Sequence, residues 1–163
     1  MKQQIAIINS GGANFTSIKE SLRRLGSECI VSRDSDVITR ADKIILPGVG
    51  SAKYAMNRLR ILGLEKTIRL LRKPVLGICL GQQLLCRDSE EDGGCCLNVI
   101  PNSVKKISNV SIIPHMGWNT LGDMNTNDPI LEGIDQGRSF YFAHSYCTEY
   151  DPSYAIASCR YGT

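Results

Sequence analysis

Pro74-Val75-Leu76-Gly77-Ile78-Cys79-Leu80-Gly81-Gln82-Gln83 decides how this chain folds. The stretch opens on proline and runs through short apolar residues of the kind buried on both faces of a parallel sheet. It cannot continue as a strand, because glycines stand two residues to either side of Cys79 and Gln82-Gln83 begins a helical pattern. A nucleophile on so tight a strand-to-helix turn is held proud of the sheet. The helix N-terminus stabilises a thiolate there, and nearby amides can take the negative charge of a tetrahedral intermediate. Cys79 is the candidate nucleophile, able to attack an amide and form a thioester.

Upstream, Ile5-Ala6-Ile7-Ile8 is a short apolar strand closed by Asn9-Ser10-Gly11-Gly12. A helix is predicted over 14–25, with Ile18, Leu22 and Leu25 on one stripe and Gly26 as its stop. Strands follow at 28–32 and 43–46, the latter closed by Pro47-Gly48-Val49-Gly50. From Ser51 a helical pattern runs through Tyr54, Ala55, Leu59 and Leu62, and a second begins near Leu64 and ends before Pro74. Short apolar strands alternating with helices predict an α/β fold, an open and mostly parallel sheet with helices on both faces. Ligands in such sheets bind beyond the strands' carboxyl ends, which directs attention to the turns at 9–14, 47–51 and 78–81. After about residue 92, glycines and prolines punctuate short segments such as 104–107 and 139–142, read as an antiparallel or mixed addition.

A chain of 163 residues suits one domain and can bury roughly 70% of the surface its unfolded form exposes. Hydrophobic content of 42% and charged content of 21% argue against disorder. The net charge of +3 is small and the basic residues are dispersed, which gives nucleic-acid binding little support. Lys2-Gln3-Gln4 leads directly into the first strand, without a leader-like or membrane-spanning run, so a cytoplasmic protein with no membrane partner is expected. The seven cysteines show no C-x-x-C pair, and His115 and His144 lie far apart in sequence, so no metal or cofactor is expected and most thiols read as reduced.

The glycines around Val49 allow its N–H to point into the crevice, where it and the Leu80 N–H would form a two-donor oxyanion site. A base is harder to find. His144, in Phe140-Tyr141-Phe142-Ala143-His144-Ser145-Tyr146, and His115, in Pro114-His115-Met116-Gly117-Trp118-Asn119, are both candidates, and neither has an acidic orienting residue at a recognisable spacing. His115 stands among loop and interface-like residues. Glu90 and Glu91, spaced about three helical turns past the elbow, suit either a pocket rim that binds an α-ammonium group or a solvated acidic patch. Tyr141 and Phe142 read as core or pocket wall.

Together the Gly-x-Cys-x-Gly-x-Gln elbow, the Pro-Gly-Val-Gly turn, Pro-His-Met-Gly-Trp-Asn and Tyr-Phe-Ala-His-Ser-Tyr resemble the class I (triad) glutamine amidotransferases. Within them the resemblance is to the glutaminase subunits of imidazole glycerol phosphate synthases, over essentially all 163 residues. It implies a flavodoxin-like amidotransferase domain over 1–163. Cys79 would be the nucleophile, and the Val49 and Leu80 amides would face the oxyanion. Gln83, Glu91, Ser145 and Tyr146 would hold the substrate, L-glutamine. The partner side and its gating would involve Asn14, Ser17, Gly48, Gly50, His115, Met116, Gly117, Trp118 and Asn119. The implied reaction is glutamine hydrolysis, with ammonia passed to a (β/α)8 cyclase subunit in histidine biosynthesis and a flip at Pro-Gly-Val-Gly as the switch.

Ala13 and Gln82 depart from the family pattern, and 95–102 resembles a segment that has lost glycines, so an altered turn is expected there. The family's catalytic histidine and glutamate lie on a segment beyond Tyr161-Gly162 that has no counterpart before Thr163. A C-terminally incomplete domain with little glutaminase activity is therefore expected. Other readings are an ammonia-supplying subunit of another synthase, such as a sugar-aminating one, a catalytically impaired interaction remnant, or a more distant cysteine hydrolase.

Overall fold

The structure is a computed structural model that describes residues 3–162, so Lys2 and Thr163 lie outside the described residues. Its contacts fall into two compact units, Met1–Val104 and Lys105–Thr163.

In the first unit β1 (Ile5–Ile8), β2 (Cys29–Ser32), β3 (Lys43–Gly48) and β4 (Val75–Cys79) form a parallel sheet in the order β2-β1-β3-β4. The path steps from β1 to β2 and then back across β1 to β3. Right-handed crossovers therefore put the first helix, α1 (Phe15–Arg24), on one face and the later ones on the other. The later helices are α2 (Ser35–Arg40), α3 (Ala52–Ile61), α4 (Leu64–Leu70) and α5 (Leu80–Leu85). The core has the same division. Ile38, Ala55, Met56, Leu59, Leu64, Ile68 and Leu84 pack with Ile8, Ile44 and Leu46 in one cluster, while α1 has no buried residue. Each leucine or isoleucine buried there contributes about 1.5–3 kcal/mol.

Local chemistry sets the helix ends. Asn14 caps α1, its Oδ1 accepting from the Ser17 N–H at 3.1 Å, and Gly26 follows in the left-handed region at φ +71°. Leu25, expected on the inner stripe, is exposed, because the helix ends one residue before it. Helix α2 was not anticipated: six residues are fewer than two turns and show no periodicity. Its signals are the Asp34 cap, which accepts from Asp36 and Val37, and the fully buried Ile38. On α3 the inward face is Ala52, Ala55, Met56 and Leu59, and Tyr54 points outward. Strand β4 departs from the expected burial on both faces, since Leu76 is 43% and Ile78 37% exposed. It is one of the two edge strands in the sheet order, and α5 packs on its other face.

Beyond α5, β5 (Asp88–Ser89) pairs antiparallel with β6 (Gly94–Cys95) and parallel with the start of β7 (Ser103–Lys106). The glycine-poor segment between them makes its turn with Asn98 at φ +49°. The N–H groups of Leu97, Asn98, Val99 and Ile100 donate to the carbonyls of Leu84, Cys86 and Leu85 at 2.8–2.9 Å, closing the end of α5. Asparagine tolerates that conformation and a β-branched residue does not. Asn98→Val is expected to lower stability by about 1–2 kcal/mol, measured by urea unfolding.

The second unit contains the antiparallel ribbon of β8 (His115–Thr120) and β9 (Ser139–His144), followed by β10 (Tyr146–Thr148). The stretch around His115, read as loop, is thus a strand. Gly117 and the polar Asn119 had hidden its alternation. No helix among the described residues is long and apolar enough to cross a membrane.

Candidate active site

Cys79 lies where β4 gives way to α5, at φ +54° and ψ −121°. A non-glycine residue in that region is strained, and such strain persists only where the surroundings over-determine it. Here glycines impose it. A Cβ on Gly77 would come within 2.5 Å of the Gln82 Cα, one on Gly48 within 2.9 Å of the Gly81 N, and one on Gly81 would overlap the Leu46 carbonyl oxygen. Bare backbone on β3, β4 and α5 lets the helix start directly against the sheet, leaving Cys79 exposed at the turn.

Register brings the next two residues together. Gly48 pairs with Cys79 across β3 and β4, so Val49 and Leu80 are the first residues past neighbouring strand ends. The Leu80 N–H belongs to the first turn of α5 and has no intrahelical acceptor. Gly50 follows Val49 at φ +84°, and the Val49 carbonyl lies 3.7 Å from where a Gly12 Cβ would stand. The turns after β1, β3 and β4 therefore crowd together. Arg58, not singled out by the sequence, lies against Gly11 of the first of these, its buried Nε without a hydrogen-bond partner among the described residues.

Gln83 is half-buried on α5, one turn after the nucleophile. Glu91 is not on a helical extension of the elbow, because α5 ends at Leu85. Its Oε2 accepts from the Ala52 N–H at 3.1 Å, and Asp92 Oδ2 accepts from the Lys53 N–H at 3.2 Å. Both carboxylates sit on the first N–H groups of α3, where the helix dipole favours them. A depression of about 260 Å³ beside them, lined by Lys53, Asn57, Arg60 and Cys96 among others, includes none of the expected site residues. Burial raises the Cys96 thiol pKa to about 11, with the neighbouring Cys86, Asp88 and Cys95 adding to the shift.

The histidines of the second unit are not far apart. They pair across the ribbon, His115 Nδ1 3.2 Å from His144 Nε2. His115 Nε2 lies 3.3 Å from Asn119 Nδ2, and His144 Nδ1 lies 2.8 Å from the Tyr146 carbonyl oxygen. All four ring nitrogens are engaged, so neither histidine has one free to serve Cys79 as base. His115 is buried between Phe142, at 4.6 Å and 12°, and Tyr161, at 3.9 Å and 22°. Burial and then the neighbouring His144 ring lower its pKa. Tyr161 was not foreseen, since no spacing links it to the ribbon. Ser145, in the bend after β9, and Tyr146, the first residue of β10, are both half-buried. The opposite face of the ribbon is exposed, with Met116 open and Trp118 edge-on to Tyr141 at 5.7 Å. Among the described residues no three histidine, cysteine or acidic side chains cluster as metal ligands.

Comparison with known proteins identifies the family and the fold. The family model for glutamine amidotransferase class-I matches residues 6–159. The chain is 44% identical over 160 residues to imidazole glycerol phosphate synthase subunit HisH of Salmonella typhimurium, spanning 97% of this chain and 81% of that one. The HisH subunit of Escherichia coli K12 gives the same figures, and that of Bacteroides thetaiotaomicron is 42% identical over 88% of this chain and 74% of its own. Among solved structures, a putative GMP synthase component from Thermoplasma acidophilum superposes with a TM-score of 0.68 at 21% identity, over 91% of this chain and 67% of that one. PurLQS from Thermotoga maritima gives 0.67 at 20%, over 98% and 75%. These structures share the flavodoxin-like α/β fold with its mixed sheet.

Proposed function

This chain belongs to the class-I glutamine amidotransferases and is homologous to the HisH subunits, and from that premise we propose that Cys79 hydrolyses glutamine through a thioester and that the ammonia goes to a (β/α)8 cyclase partner in histidine biosynthesis. The carrying observation is the strained Cys79 elbow, with Val49 and Leu80 set side by side by the Gly48 and Cys79 register. The thiolate attacks the carboxamide carbon, and the oxygen becomes an oxyanion facing the Val49 and Leu80 N–H groups. The carbon–nitrogen bond breaks as the nitrogen takes a proton from solvent water, and ammonia leaves with the acyl group held on Cys79 as the thioester. Water then attacks the thioester, releasing glutamate and restoring the thiol.

Gln83, Glu91, Ser145 and Tyr146 hold the substrate in this reading. The Glu91 carboxylate, anchored by the Ala52 N–H, is oriented for the α-ammonium group. Gly48 and Gly50 let the Val49 peptide change direction, which suits a gate that partner binding operates. Asn14 and Ser17 at the head of α1, together with the β8 stretch, face the partner. Alternation along β8 divides the roles: Met116 and Trp118 are exposed and dock, whereas His115 is buried and supports the ribbon from within.

The test is labelling of the 163-residue chain with a chloroketone analogue of glutamine, followed by peptide mapping, with and without the cyclase partner and its nucleotide ligand. Selective labelling of Cys79 that accelerates when the liganded cyclase is added is the expected result. Labelling spread evenly over the other cysteines, or no complex with the cyclase, would overturn the proposal; acceleration by a different synthase would redirect the ammonia.

A further inference from the structure

The pairing of His115 with His144 has a direction, and each end of the chain of hydrogen bonds sets it independently. At one end, Asn119 Oδ1 accepts from the Thr120 N–H at 2.8 Å. That fixes the amide orientation and points its nitrogen at the Arg160 carbonyl, 3.0 Å away, and at His115 Nε2. An amide nitrogen only donates, so His115 Nε2 is unprotonated and accepts. A neutral ring then carries its hydrogen on Nδ1 and donates to His144 Nε2.

At the other end, the Tyr146 carbonyl only accepts, so His144 Nδ1 is protonated and donates to it. Neutral His144 then has a bare Nε2, ready for the His115 proton. The two ends are set by groups that do not titrate, and they require the same polarity along every link. A further proton on either ring would set donor against donor, at Asn119 or between the rings. Among the described residues, the groups on this pair include the Asn119 amide, the Phe142 and Tyr161 rings and the Tyr146 carbonyl, with the Arg160 carbonyl behind Asn119. None of them is a carboxylate. The lowered pKa of His115 agrees with that.

We infer that Asn119, His115 and His144 form a one-way relay that holds both imidazoles neutral in the Nδ1–H form and, through the Tyr146 carbonyl, makes the two histidines positioning residues for the Ser145-Tyr146 segment. The segment is also tied from behind, where the Ile107 N–H donates to the Ser145 carbonyl at 2.9 Å. The role in substrate binding rests on the reading above that Ser145 and Tyr146 hold glutamine.

Only two histidines occur in the sequence, so ring-nitrogen correlation spectra of the whole ¹⁵N-histidine-labelled chain resolve the question directly. Both rings are expected to show protonated Nδ1 and bare Nε2 at pH 8, and a protonated Nε2 on either overturns the relay. Two variants then separate positioning from general damage. The amide nitrogen of His144→Asn can occupy the Nδ1 position and keep the bond to Tyr146, whereas that of His144→Gln falls nearer Nε2. Two readouts apply: amide hydrogen exchange over 145–147, and the glutamine concentration that half-protects Cys79 from iodoacetamide, read on its peptide.

His144→Gln is expected to speed exchange and raise that concentration about tenfold, with His144→Asn close to the parent. Equal behaviour of the two variants overturns the positioning role. Faster exchange in His144→Gln with unchanged glutamine protection overturns the substrate role alone, and with it the assignment of Ser145 and Tyr146, while the relay stands on its spectra.

Discussion

Gly81→Ala is expected to lower stability by about 3 kcal/mol or more, a fall of roughly 10 °C in Tm for a chain of this size. The added Cβ would overlap the Leu46 carbonyl oxygen and come within 2.7 Å of its carbonyl carbon. Leu46 is fully buried in β3 between β1 and β4, so the carbonyl cannot swing aside as an exposed side chain would. The alternative is for α5 to lift away from β3, which would separate Leu80 and Leu84 from the core cluster and pull the elbow apart. Gly94→Ala is the control, since its Cβ would meet nothing within 4 Å and its φ is not in the left-handed region. Urea and thermal unfolding of the two variants should differ by most of the predicted amount. Similar midpoints would mean that the close approach of α5 to β3 does not set the geometry of the site.

The second large effect concerns Cys79. Cys79→Ala is expected to abolish both the chloroketone labelling and whatever glutamine hydrolysis the chain shows with the cyclase partner, because the thioester forms on Cys79. Cys79→Gly should lose activity equally and yet gain about 1 kcal/mol of stability, since glycine adopts φ +54° and ψ −121° without a Cβ penalty. The two variants together distinguish a strained catalytic elbow from an ordinary strand end. A glycine variant no more stable than the alanine variant would show that the backbone at residue 79 stores no strain.

The elbow was legible in the sequence because its determinants are local. Gly77, Cys79 and Gly81 lie within five residues, and the Asn14 cap and the Pro47-Gly48 turn are equally short-range. What escaped reading depends on residues brought together from a distance. Nothing near Glu91 in sequence says that its carboxylate accepts from Ala52, nor that Tyr161 stacks on His115. The histidine pairing follows from the β8 and β9 register, and that register became visible only once the stretch around His115 was a strand and not a loop. The exposure of Leu76 and Ile78 depends on the place of β4 in the sheet, which no property of β4 itself fixes.

The parallel sheet also has a temporal side. Its inner pair, β1 and β3, together with the β2 edge, is complete in the nascent chain before Cys79 is added at the end of β4. Synthesis runs from the N-terminus, so these strands are available before β4 is. The residue with the least favourable backbone is therefore the last of the sheet to be translated, and it closes against a β3 whose Gly48 already marks where it must sit. Vectorial synthesis supplies the template before the bent part, and a circular permutant that begins at β4 would have to make the bend without it.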